Sequence, residues 1–101
     1  GRENLVCLFV LLDSRLKPQK PDLEFMELLG NNRVPFARVF TKSDKLTRLN
    51  LDKSISLYDS EMLKNWESLP VTFITSSVKK IGREEILSFI EESINKLSNG
   101  A

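Results

Sequence analysis

Pro35-Phe36-Ala37-Arg38-Val39-Phe40 runs directly into Thr41-Lys42-Ser43-Asp44. An apolar stretch ending in a small polar cluster reads as a buried strand, here Val34 to Phe40, that delivers a loop. Working outward, the run Leu5 to Leu12 lies upstream and Val71 to Thr75 downstream. Residues 5 to 12 are continuously apolar, the pattern of a strand covered on both faces of a parallel sheet. Helical spacing fills the gaps between the strands. The expected order is βαβαβα, and alternation of that kind implies an α/β fold: a three-stranded parallel sheet with right-handed crossovers.

The helices follow from their own punctuation. Pro21 suits the first helical position, Phe25, Met26, Leu28 and Leu29 supply an apolar face, and Gly30 is a natural stop. A second helix is predicted from an Asn50 cap to Trp66, with Leu51, Ile55, Tyr58, Met62 and Trp66 as one stripe. These are core positions, and no binding role is assigned to Tyr58 or Trp66. The third helix, Arg83 to Leu97, is expected to bury Ile86, Leu87, Ile90, Ile94 and Leu97, with residues 98–101 frayed. No linker, repeat or low-complexity stretch divides residues 1–101, so one domain is expected.

Composition narrows the chemistry. The chain has 101 residues, 41% of them hydrophobic, so a core is available to a domain of modest size. Fifteen basic and 14 acidic residues leave a net charge of +1, which predicts no global attraction to polyanions. The absence of His and a single cysteine leave no plausible zinc ligand set. Cys7 sits within an apolar run and is expected to be a buried structural thiol in a reducing compartment. The eight-residue run is too short to span a bilayer, and no signal-peptide cleavage pattern follows it, so a cytoplasmic chain is expected.

In open α/β sheets, ligands sit beyond the carboxyl ends of the strands. Here those ends carry Asp13-Ser14-Arg15, Thr41-Lys42-Ser43-Asp44 and Ser76-Ser77. A carboxylate at Asp44 can accept from both N1–H and the 2-amino group of guanine, a donor pair that adenine lacks. The Lys42 stem can lie along a flat ring while its ammonium stays wet. Backbone N–H groups near Ser77 can donate to O6. Unpaired polar groups reject the wrong base, in the strongest cases by on the order of 10⁴-fold. Taken alone, Thr-Lys-Ser-Asp is more often an ordinary loop cap than a base reader, and it is its place after a buried strand, with Ser-Ser after the next, that favours the base; Asp13 reads as a loop cap rather than a metal ligand.

Three segments in order resemble the EngB (YihA/YsxC) family of bacterial GTPases: residues 12–29, Val39 to Leu46, and Thr75-Ser76-Ser77 with Ile81 to Leu87. The resemblance covers nearly the whole chain. It implies that Thr41, Lys42 and Asp44 fill the fourth GTPase motif and Ser76 and Ser77 the fifth. Thr41 stands where GTPases in general favour Asn, and Val78 departs from the usual fifth motif, so Ser77 would act through its backbone.

No G-x-x-x-x-G-K-[S/T] phosphate loop occurs in these 101 residues. The resemblance therefore implies the second half of a P-loop GTPase domain, with the phosphate loop, switches and Mg2+ ligands belonging to the other half. Phosphoryl transfer needs that cradle and its metal. The expectations are that the chain alone does not hydrolyse GTP, binds GTP or GDP weakly, and meets Mg2+ only in the intact protein. The strand at 5–12 then becomes an apolar edge, which predicts a homodimer or swapped assembly. The family implies roles in large ribosomal subunit assembly and septation. Nine of the 15 basic residues, Arg15, Lys17, Lys20, Lys42, Lys45, Arg48, Lys79, Lys80 and Arg83, gather on the strand-end rim, which suits either a solvated surface or ribosomal RNA. The competing reading is a non-catalytic, flavodoxin-like interaction or dimerisation module.

Overall fold

The computed structural model describes residues 7–76 and 79–100, with side chains for residues 7–76 and 79–94. Strand β1 (Leu8–Asp13) is followed by helix α1 (Lys20–Asn31) and strand β2 (Phe36–Thr41). A 3₁₀ turn at Ser43–Lys45 leads into helix α2 (Arg48–Leu63). Strand β3 (Val71–Ile74) and helix α3 (Arg83–Gly100) complete the order. The three strands form one parallel sheet in the order β1-β2-β3. This is the α/β architecture expected from the sequence, consistent with half of a P-loop GTPase domain. Among the described residues no helix is long and apolar enough to cross a membrane.

β2 is the centre of the sheet, and its Phe36 to Phe40 are all buried. The pleat sends alternate residues to opposite faces. Val10, Leu12, Phe36 and Phe40 meet Met26 and Leu29 of α1 and Tyr58 and Met62 of α2 in one core cluster. Removing a side chain such as Phe40 from water contributes about 1.5–3 kcal/mol. Phe40 also meets the Tyr58 ring edge-on, with centroids 5.4 Å apart. On the opposite face, Phe9, Phe73 and Phe89 form an aromatic triad, with Phe9–Phe89 and Phe73–Phe89 centroids at 6.1 and 5.4 Å. That triad attaches α3 to the sheet.

Several expectations are corrected. β1 is not covered on both faces: Leu11, on the α3 side, is 66% exposed because α3 reaches the sheet mainly through Phe89, and Leu8, at the start of the strand on the other face, is 36% exposed. Residues 5 and 6 of the predicted strand lie outside the described residues, as does Ala101, and Cys7 is only half-buried. On α3, Leu87, Ile90 and Ile94 are exposed for the same reason, while the Leu97 side chain lies outside those described. α3 continues to Gly100, past the predicted fraying point. On α1, Phe25 and Leu28 face outward because the core takes only Met26 and Leu29. The α2 cap is Thr47, whose Oγ1 accepts from the Asn50 N–H at 3.1 Å, so Asn50 is inside the helix. Gly30 lies within α1, not beyond it. A Cβ there would meet the Trp66 ring at 2.5 Å, so this glycine is the seat of Trp66, which packs edge-on against Phe36 at 5.6 Å.

Candidate functional site

The carboxyl ends of β2 and β3 lie side by side, with Phe40 opposite Ile74. Beyond them Thr75 N–H donates to the Phe40 carbonyl at 2.8 Å, and Ser43 N–H donates to the Thr75 carbonyl at 3.1 Å. The two loops are therefore fastened to each other before any side chain is considered. Asp44 enters the 3₁₀ turn with its side chain only 8% exposed. Its Oδ1 accepts from Ser76 Oγ at 2.6 Å. Ser76 is itself fixed: it is buried, forms an antiparallel bridge to Ile81, and its Oγ accepts from the Lys79 N–H at 3.1 Å. The Ser76 hydroxyl holds the Asp44 carboxyl below its usual range, with Lys45 and Lys79 assisting. Asp44 is thus an ionised, aimed acceptor.

Lys42 sits immediately before the turn with a left-handed backbone, φ 59°. A non-glycine residue there is strained by on the order of 1 kcal/mol and is held by its surroundings. Its ammonium lies 3.6 Å from Asp13 Oδ2. Asp13 accepts from Arg15 three times, at 2.9 Å from the backbone N–H, 3.1 Å from Nε and 2.8 Å from Nη2. Those bonds, ahead of the charge of Lys42, keep the Asp13 carboxyl far below the ordinary carboxylate range. Asp13 does close its loop, as expected, and also faces Lys42.

Thr41 is half-buried, and its Oγ1 donates to the Leu12 carbonyl at 3.3 Å, toward β1. Ser14, 1% exposed, donates to the Thr41 carbonyl from both N–H and Oγ, at 3.1 and 2.6 Å. Its own carbonyl accepts from Ser54 Oγ of α2 at 2.6 Å. Neither role is legible in the sequence, since a serine in a polar loop, as Ser14, or on a helix, as Ser54, carries no signal of the carbonyl it will meet. Of the candidate residues, the structure brings Lys42, Asp44 and Ser76 to one rim, with Thr41 turned beneath it. Ser77 lies outside the described residues.

A cavity of about 550 Å³ has Asp44 in its wall, lined also by Leu46, Arg48, Phe73, Lys79 and Gly82. It reaches neither Lys42 nor Ser76, so it is not the cleft in which those groups face one ligand. Among the described residues no three His, Cys, Asp or Glu side chains converge as a metal-ligand set. Among the described residues, five of the nine rim cations are ion-paired: Arg15 and Lys42 with Asp13, Lys20 with Glu24, Lys45 with Asp44, and Arg48 with Asp52. The rim is less positive than its composition suggests.

The chain is similar along nearly its whole length to proteins named probable GTP-binding protein EngB. The Bacteroides fragilis protein is 58% identical over 98 residues, which is 97% of this chain and 48% of that protein. The Phocaeicola vulgatus protein is 53% identical over 95 residues, 94% and 47% respectively. The Christiangramia forsetii protein is 49% identical over 96 residues, 95% and 48%. The chain spans about half the length of the curated relatives it matches. No protein-family model matches it.

Proposed function

Because the chain belongs to the EngB family of GTP-binding proteins, we propose that it is the guanine-reading part of a GTP-binding protein, the C-terminal half of its G domain. The observation that carries this reading is the 2.6 Å bond from Ser76 to Asp44. It leaves Asp44 charged and oriented at the loop where two parallel strands end. In this reading Asp44 accepts from N1–H and the 2-amino group of guanine. The Lys42 stem covers one face of the ring, Thr41 holds the loop to β1, and Ser76 aims Asp44. Ser77 is assigned the O6 contact through its backbone.

The phosphates of GTP or GDP and their Mg2+ fall to groups outside the described residues, and no step of hydrolysis is assigned to residues within them. The chain by itself is proposed to bind nucleotide weakly, since phosphate contacts supply much of the affinity in such sites.

Asp44→Asn tests the reading in the full-length protein that carries this chain. An amide presents a donor where the carboxylate accepted, which suits the C2 carbonyl of xanthine. Preference is expected to move from guanosine to xanthosine diphosphate, read by competition calorimetry. Unchanged GDP affinity would remove Asp44 from base recognition and sink the reading.

The wider role is proposed as cytoplasmic, in large ribosomal subunit assembly and, through it, in septation. Support comes from the strand-end rim, where Lys79, Lys80 and Arg83 stand exposed beside the nucleotide loops. Affinity for large-subunit RNA is expected to fall steeply as salt rises, the signature of released counterions. An affinity that ignores salt counts against this role. For the chain taken by itself, the edge of β1 is further proposed to pair with another copy.

A further inference from the structure

We propose that Asp13, its carboxylate fixed by Arg15, is a positioning residue for Lys42 in base recognition. This rests on the reading above and deepens it. The aliphatic stem of a lysine contributes to stacking only while its rotamers keep it over the ring. A half-exposed Lys42 has four rotatable bonds and an ammonium that water serves equally well in many directions. One end is set by the left-handed backbone at φ 59°. The other end is set by Asp13 Oδ2 at 3.6 Å.

Asp13 can do this because it does not wander. Three Arg15 donors at 2.8–3.1 Å saturate much of the carboxylate and leave Oδ2 shared between Arg15 and Lys42. The loop beneath is bolted down: Asp13 is the β-partner of Thr41, and Ser14 and Ser54 complete the mount. The site therefore has two separately anchored arms. Asp44 is aimed from β3 through Ser76, and Lys42 from β1 through Asp13. The first arm discriminates between bases by hydrogen bonding. The second presses on a purine face, so its loss weakens all purines alike.

The test is a double-mutant cycle on GDP and IDP affinity, measured by calorimetry on the full-length protein. Asp13→Asn is expected to weaken both nucleotides about two- to fivefold, the range of a partly exposed ion pair, with their ratio unchanged. Asp13→Glu, which keeps the charge, should recover most of the loss. In a Lys42→Met background Asp13→Asn should add nothing. Additive losses, no recovery by Asp13→Glu, or a changed GDP to IDP ratio overturns the positioning role while leaving Lys42 and Asp44 as base contacts. A Lys42→Met protein with unchanged affinity overturns both this role and the guanine reading of Lys42.

Discussion

Arg38 is the residue whose surroundings depart most from its type. It stands in the middle of β2, 1% exposed, where strand periodicity alone calls for an apolar side chain. Its Nε and Nη2 donate to Thr72 Oγ1 at 3.1 and 2.8 Å, and the guanidinium lies 5.2 Å from the Phe40 ring centroid. Nη2 is 2.8 Å from Asp59 Oδ1, a close ion pair that is not aligned as a hydrogen bond. Removing one partner of a buried pair strands the other charge, whereas an apolar replacement removes the desolvation cost as well. Asp59 is 29% exposed, so water reaches it and softens the effect. Asp59→Ala is expected to destabilise by about 2 kcal/mol and Arg38→Met to stay within about 1 kcal/mol of the parent in urea unfolding. A neutral Asp59→Ala would show that the pair contributes nothing. Asp44 contrasts with Arg38. Its candidacy was legible because it stands in a loop beyond the carboxyl end of a buried strand, while nothing in the sequence separates a buried arginine from a solvated one.

At the scale of elements, type and order were legible and ends were not. Each helix and strand appears where its periodicity predicts it, because a stripe of apolar residues must be buried wherever the chain goes. The ends depend on local competition. Thr47 captures the Asn50 N–H and so moves the start of α2 upstream of the Asn50 cap read from the sequence. Gly30 looked like a stop, yet α1 passes through it to Asn31, and the left-handed turn falls on Arg33 at φ 57°. The constraint on Gly30 is Trp66, 36 residues away in the chain, and spacing does not report such a contact. Gly82 does match the expectation for its type. Its φ of 85° and the nearby Ile74 carbonyl leave no room for a side chain in the β3–α3 connection.

At the scale of the whole molecule, the sheet is well covered on one face and sparsely on the other. Leu11 of β1 and Leu87 of α3 line one apolar groove of about 520 Å³ with Val39 and Ile86. β1 pairs only with β2 among the described residues, so its outer edge carries free backbone donors and acceptors. Edges of this kind recruit other strands. The 101-residue chain is therefore expected to sediment as a dimer at micromolar concentration, and Leu11→Lys to return it to monomer. A stable monomer of the unaltered chain under those conditions counts against pairing through β1.

The sequence by itself determined the βαβαβα order, the parallel sheet and the candidacy of Lys42, Asp44 and Ser76, because periodicity and strand-end position are properties of the chain read in one dimension. Only the tertiary structure decided what holds those residues. That Ser76 aims Asp44 across 32 residues, that Asp13 meets Lys42, and that Ser14 and Ser54 lock the Thr41 loop all follow from which strand ends become neighbours. It also decided that Leu11 of β1 and the outer side of α3 stay exposed, since burial depends on what packs opposite a residue, and an apolar run carries the same letters whether or not something covers it.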